Sequence, residues 1–438
     1  MSDSIAALKK QSGDRPKTVT ALCKKILGRL GPGLVTGASD DDPSGIGTYS
    51  QAGAQLGFGI GWTMLLTYPL MAAIQEISAR IGRTTGQGIA GNLRRHYPNW
   101  LLQSLIALLF VANTINIGAD LNAMADATQL LIGGPRVLYV AAYALICVGG
   151  IVFVQYDRYA LVLKWMTLSL FSYVAVLFVA HVPWKEALAG VFVPRIQWTS
   201  EYFTTMLAIF GTTISPYLFF WQASTEVEEI DCEPERKPLL RAPRQALDAF
   251  SRIRADTLLG MALSNIVALA IIFATAATLH SAGTTNIESS TQAAEALRPV
   301  AGNLAFALFA LGIVGTGLLA VPVLAGSAAY ALGEARHWPV GLARKPSEAL
   351  CFYGTLAAAT GLGAAMAFSP IDPIKALYWT AVINGVIAVP IMTVMMIMTA
   401  QTKIMGKFTV RGGLRWLGWA AAAAMGACVL GMIVSWFA

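Results

Sequence analysis

The sequence predicts an all-α membrane protein of about eleven spanning helices, two of them broken, in two inverted halves. Three observations carry this reading. Hydrophobic residues make up 56% of the 438 positions and charged residues only 13%, too little charge to cover a soluble fold of this length. Apolar runs of membrane-spanning length recur along the chain between short polar connections. Two runs carry a proline beside small polar residues in mid-span: Asp40-Asp41-Asp42-Pro43-Ser44-Gly45 in the first, and Gly211-Thr212-Thr213-Ile214-Ser215-Pro216-Tyr217 in the sixth.

Residues 1–27 read as a basic cytoplasmic tail containing Lys9, Lys10, Lys24 and Lys25, with no cleavable signal. Spans are expected near 30–57, 59–81, 101–124, 137–154, 161–182, 203–225, 258–279, 304–332, 349–368, 376–399 and 417–437. With the N-terminus inside, 26 of the 31 Lys and Arg residues fall on the cytoplasmic side, which puts the C-terminus outside. The net charge of +7 is thus an orientation signal rather than a nucleic-acid surface. Cys23, Cys147, Cys232, Cys351 and Cys428 show no paired spacing, so neither a zinc site nor a disulfide framework is indicated.

An ionisable residue inside an apolar span faces a partner, a water-filled cavity or a substrate path. Three consecutive carboxylates precede Pro43, which cannot continue the helical hydrogen bonding, and Ser44 and Gly45 loosen the turn further. The favoured reading is a broken helix whose freed carbonyls and carboxylates point into a cavity near the midplane. The competing one is that Asp42 or Ser44 caps the following half-helix, which needs one acid rather than three. The sixth span repeats the interruption at Ser215-Pro216, five spans later. An odd offset reverses the direction of travel and makes the halves inverted repeats. Matching breaks in two such halves point to a transporter's binding site.

Other polar residues in spans have weaker readings. Asn113 and Asn116 share a helix face and serve either a cavity or interhelical hydrogen bonds. Asp120 is expected near the outer end of the third span, in a vestibule or snorkelling. Glu76 and Arg80 are expected to pair with each other. Asn384, beside Gly385, faces the site or a neighbouring helix. Glu226, Glu228 and Glu229 end the sixth span as a solvated charge run. The connection 231–254 is polar and carries no recognisable domain. No Walker loop, zinc-protease motif or nucleophile elbow is present, which argues against an enzyme and against an ATP engine.

Residues 31–45, GPGLVTGASDDDPSG, resemble the first-helix region of the Nramp divalent-metal transporters, whose signature there is Asp-Pro-Gly-Asn. Residues 75–86, QEISARIGRTTG, are similar to the end of that family's second helix. Residues 211–217, GTTISPY, stand where the family has a Met-Pro-His motif. The resemblance covers nearly the whole chain. It implies the LeuT-type fold, with a first five-helix repeat over 28–182, a second, inverted one over 183–399, and an extra helix over 400–438. It also implies a multi-pass protein of the plasma (inner) membrane whose divalent cation is cargo rather than cofactor, with no ATP-hydrolysing subunit.

The departures from the family pattern bear on the cargo. Asp42 and Pro43 are kept, but Ser44 replaces the glycine and Gly45 the asparagine ligand. Ser215 replaces the sulfur ligand, Tyr217 the histidine, and Gln222 a second histidine five residues on. Asn113 and Asn116 stand for the family's two acids on the third helix. The expected metal set is Asp42 as charged ligand, Asp41 as a second carboxylate reached directly or through water, and oxygens of Ser215 and Thr212, with Gly45 leaving space. Ser44, Pro43, Pro216, Tyr217, Trp221, Gln222, Asn113, Asn116 and Asn384 are expected to line the cavity or gate, Tyr217 and Trp221 being inner-gate packing or plain core. A roomy, oxygen-only, acidic site suits Mg²⁺, and Mn²⁺ accepts the same ligands. Loss of both histidines and the third-helix acids predicts weak or absent proton coupling, as in the similar Nramp-related magnesium transporter branch. The alternatives are a proton-coupled Mn²⁺/Fe²⁺ transporter, a carrier of an organic solute on the same fold, and a non-transporting membrane sensor.

Overall fold

A bilayer offers backbone N–H and C=O groups no water, so spanning segments must satisfy them internally as helices. In the computed structural model every regular element among the described residues is helical. Those residues are 36–37, 39–153, 170–179, 182–233, 235–287, 289–368 and 372–437. The basic tail, the start of the first span and residues 154–169 of the fourth and fifth spans lie outside them.

A short helical stretch ends at Asp40, and after the break α1 runs over Pro43–Leu56. Then come α2 (Trp62–Thr85), the short α3 (Ile89–His96), α4 (Asn99–Ile132), α5 (Arg136–Phe153) and α6 (Phe171–Val179). The second half comprises the short α7 (Trp184–Phe192), α8 (Ser200–Thr213), α9 (Pro216–Cys232), α10 (Ala246–Thr275), α11 (Ala305–Arg336), α12 (Leu350–Ala365), α13 (Pro373–Ala400) and α14 (Gly412–Phe437). Among the described residues eight segments are long and apolar enough to cross a bilayer: α4, α5, α8 with α9, and α10 to α14. The pair α1 and α2 qualifies jointly and is bent by 111°. The bend is at Gly61, after a short 3-10 turn over Gly57–Ile60, and that turn opens on Gly57, whose φ of +60° is a left-handed conformation that a Cβ disfavours. The eight segments fall on the expected third, fourth and sixth to eleventh spans. The first and second correspond to the bent pair, the start of the first lying outside the described residues, and of the fifth only α6 is described.

Two boundaries differ from expectation for a physical reason. The third span continues to Ile132, two turns past the expected end, because its apolar face goes on being buried through Ala123, Met124, Ala125 and Ala127. The true stop is Gly133, with φ of +71°, a glycine just past the helix end. The seventh span begins at Ala246, so the end of the 231–254 connection is helical rather than loop.

Packing sets what surrounds the breaks. Helix α4 lies against α11, α12 and α13, α8 against α13 and α14, α2 against α9 and α10, and α1 against α10. Small residues permit these approaches, as expected where apolar side chains gain nothing by leaving lipid. A Cβ at Gly211 would sit 2.0 Å from the Ala381 carbonyl oxygen and 2.5 Å from Gly385 N. Large apolar side chains on α5 (Leu138, Leu145) and α14 (Leu430, Val434) are exposed, making an apolar exterior. Replacing Gly211 by Val is therefore expected to force α8 and α13 apart, costing about 1–3 kcal/mol or more. The control Gly354→Ala, with nothing within 4 Å, should leave thermal stability in detergent unchanged.

Candidate functional site

Pro43 and Pro216 each occupy the first turn of the half-helix after a break, where a missing N–H costs nothing and the fixed φ suits the helix. At the first break Asp42 is the N-cap. Its Oδ1 accepts from the Gly45 N–H at 2.8 Å and from Ser44 Oγ at 2.6 Å. Capping thus takes one carboxylate oxygen and leaves the other. Oδ2 is met at 3.3 Å by Asn116 Nδ2 of α4 and lies 3.4 Å from the Tyr217 hydroxyl of α9. Tyr217 Oη donates at 3.0 Å to the Ser39 carbonyl, tying the stretch before the break to α9. The capping reading of Asp42 holds for Oδ1, and Oδ2 is left to its neighbours on α4 and α9.

At the second break Ser215 turns back on its own helix. Its hydroxyl approaches the carbonyls of Gly211 and Thr212 at 2.9 and 2.8 Å, covering the end of α8. Thr212 Oγ1 is buried without a partner at bonding geometry. It borders Gly45: a Cβ there would be 3.3 Å from Thr212 Oγ1, 3.3 Å from the Tyr49 ring and 3.5 Å from the Asp40 carbonyl. The space expected beside Gly45 is therefore occupied, because α8 approaches α1 closely and brings its hydroxyl to that point.

The three carboxylates diverge. Asp40 and Asp41 turn to α10, where Ser264 Oγ lies 2.6 Å from Asp40 Oδ2 and 3.0 Å from Asp41 Oδ1. Asp40, Asp41 and Asp42 are 0%, 6% and 1% exposed. Among the described residues, no ion pair joins any of them to Lys or Arg. Asp120 corrects an expectation: it is fully buried, one turn beyond Asn116 on the same face of α4. Neither of its oxygens meets a donor at bonding geometry, and its carboxylate is turned toward Asp42 and the Ser44 N–H. The two-turn extension of α4 moves it from the membrane edge to the site, so the third span does carry an acid there. The signal that finds it is the four-residue spacing from Asn116.

The remaining candidates separate. Asn113 Nδ2 donates to the Leu324 carbonyl at 2.9 Å and to Ser327 Oγ at 2.7 Å, both on α11, so it holds two helices together. Trp221 packs edge-on to Tyr330 at 5.9 Å and over Gly326, as core. Gln222 accepts from Thr36 Oγ1, a second tie across the first break. Asn384 is buried in α13 with its amide nitrogen unpartnered, and none of its hydrogen bonds reaches Asp42. Arg80 pairs with Glu76 at 2.5 Å, as expected. The glutamates ending α9 are not a solvated run. Glu226 is 1% exposed and pairs with Arg252 at 2.7 Å. Glu229 meets Arg236 and Arg252, and Glu228 accepts from the Tyr330 hydroxyl and the Ala343 N–H.

The buried polar atoms around the breaks that lack a partner at bonding geometry include oxygens of Asn116, Thr212 and Asp120. No three His, Cys, Asp or Glu side chains among the described residues form a metal-binding group by themselves, so neutral oxygens must complete any set. Such donors suit a hard cation that keeps part of its water.

The family model described as natural resistance-associated macrophage protein-like (Nramp) matches residues 33–435. A divalent metal cation transporter, MntH, of Deinococcus radiodurans is 25% identical over 417 residues, covering 91% of this chain and 88% of that one. A crystal structure of the manganese transporter of Eremococcus coleocola superposes with a TM-score of 0.72 at 16% identity, covering 96% of this chain and 88% of that one. Mhp1, a nucleobase-cation-symport-1 family transporter, superposes with a TM-score of 0.54 at 14% identity, covering 93% and 90%. The likeness to these structures is one of fold, and the fold is the LeuT-type expected from the sequence.

The two asparagines of α4 should be separable. Asn113→Leu is expected to lower the melting temperature in detergent, because it removes interhelical bonds worth about 1 kcal/mol. Asn116→Leu should also lower the cation-free melting temperature, since it removes a bond to Asp42, but unlike Asn113→Leu it should reduce the rise produced by added Mn²⁺.

Proposed function

We propose that this chain, which belongs to the natural resistance-associated macrophage protein-like (Nramp) family, carries a divalent metal cation across the membrane by alternating access, with the ion held between its two broken helices. The observation that carries the reading is the division of labour within Asp42. One oxygen caps α1 and so fixes the side chain, while the other faces Asn116 and Tyr217. The relative named as a divalent metal cation transporter supports the cargo class, and makes the metal a substrate rather than a cofactor. Buried carboxylates that no Lys or Arg pairs among the described residues favour a cation over an anionic solute.

The finer reading is a hard ion, Mg²⁺ or Mn²⁺. Its support is the oxygen-only donor set: Asp42 as the charged ligand, with Thr212 and Asn116 as neutral ones. Ser215 contributes less than expected, because its hydroxyl is spent on its own helix end. For proton coupling two observations pull apart. Tyr217 and Gln222 stand where titratable histidines were sought, which supports weak coupling. Asp120, buried beside Asp42, supplies an acid on the third span and favours a proton-coupled reading. The lysine and arginine asymmetry supports an inward N-terminus in a plasma (inner) membrane, and the matching breaks support two inverted repeats over 28–182 and 183–399 with 400–438 as the extra helix.

The test is Mg²⁺ and Mn²⁺ influx into proteoliposomes with internal pH recorded, for wild type and Asp42→Asn. Asparagine keeps an oxygen for the cap and removes only the charge. Influx of either ion that falls by about tenfold or more in the variant supports the site. Acidification during influx selects the Asp120 reading, and its absence selects weak coupling. Transport that Mn²⁺ and Mg²⁺ neither drive nor inhibit would sink the metal reading in favour of an organic solute.

A further inference from the structure

Three consecutive carboxylates on one turn would give a divalent ion three anionic ligands if they converged, and they do not. Ser264, 2% exposed in α10, stands within hydrogen-bond distance of both Asp40 Oδ2 and Asp41 Oδ1. It can do so because α10 and the first span touch one turn earlier. A Cβ at Gly37 would lie 2.5 Å from the carbonyl of Gly260, four residues before Ser264 on the same helix face. This approach puts a hydroxyl beside the two acids, while Asn116 and Tyr217 meet Asp42.

We propose that Ser264 is a positioning residue: its hydroxyl, whose one proton is shared between Asp40 and Asp41, keeps that pair away from the transported ion, so that the ion meets one carboxylate, Asp42, instead of two. The inference rests on the proposed cation site at Asp42. Its physical basis is that the affinity of an oxygen site for a divalent cation rises with the number of charged ligands and with rigidity. A carrier must also release what it binds, so a second carboxylate on the ion tightens binding and slows turnover. Ser264 is thus a device for keeping the site weak enough to discharge.

The test measures Mn²⁺ binding by calorimetry and Mn²⁺ influx kinetics for Ser264→Ala, Ser264→Cys, Ser264→Thr and the double variant Ser264→Ala/Asp41→Asn. Without the hydroxyl, Asp41 is free to swing to the ion. Ser264→Ala should lower Kd and KM together by about tenfold and reduce the maximal rate. Ser264→Cys, a poorer donor of similar size, should move both in the same direction by less. Ser264→Thr should restore wild-type values, and adding Asp41→Asn should return KM to the wild-type range. A purely structural serine predicts something else: a lower maximal rate with KM unchanged or raised, and no reversal by Asp41→Asn. Either result overturns the proposal. Asp42→Asn run alongside keeps the two readings apart. If it binds Mn²⁺ like wild type, the cation site itself fails; if it loses binding while Ser264→Ala leaves KM unmoved, only the role of Ser264 fails.

Discussion

Everything around the first break depends on a carboxylate that serves two masters. Helix α1 begins inside the protein, so its first N–H groups have no water to bond and need an acceptor from the chain. Asp42 supplies it through Oδ1, and that bond fixes where Oδ2 points. Neighbouring helices then meet a fixed group. Helix α4 brings Asn116 to it and Asp120 near it, α9 brings Tyr217, and α8 brings Thr212 to the adjacent Gly45. A free carboxylate at this point would lose that direction, since an uncapped turn leaves the side chain its rotamers. Cap and site are one construction.

Much of this is legible in the sequence because its signals are local. A proline after small polar residues in an apolar run marks a break wherever it stands, and Pro43 and Pro216 both open the half-helices expected of them. Other features are illegible for definite reasons. Consecutive residues in a non-helical turn diverge by angles that no periodicity gives, so Asp41 pointing to α10 while Asp42 points to α4 is a property of the turn alone. Ser264 is a serine in an ordinary apolar span, where the residue type carries no information until its partners are known. Asp120 was misplaced because the polar cluster around it imitates a membrane edge, whereas α4 is long enough for its C-terminal turns to carry polar residues inside the protein. Glu226 reads as solvated because Arg252, its partner, lies in a different helix.

The departures from the family's ligand pattern form a connected set. Gly45 in place of an asparagine removes an amide oxygen, but α8 closes over the glycine so that Thr212 Oγ1 comes within contact distance. An oxygen is lost from α1 and one is presented from α8. In place of the thioether, Ser215 offers a hydroxyl that turns back on the carbonyls of Gly211 and Thr212, so those carbonyls are less available than an uncovered helix end would be. Only the second change lowers the softness of the proposed donor set, because the first exchanges one oxygen for another.

Charge balance ties the site to the stability of the fold. Asp40, Asp41, Asp42 and Asp120 are buried close together, and among the described residues no ion pair compensates them. Like charges repel far more strongly in a protein interior than in water, so four ionised carboxylates here would be a strained arrangement. A divalent cation at the site proposed beside Asp42 would relieve part of that repulsion. Anything that binds the folded state and not the unfolded one raises stability in proportion to the logarithm of its concentration over Kd. Ion binding and helix packing are therefore one thermodynamic system here. The hydroxyl of Ser264 and the amide of Asn116 serve that system before any ion arrives, by bonding to carboxylates that would otherwise face each other unpaired.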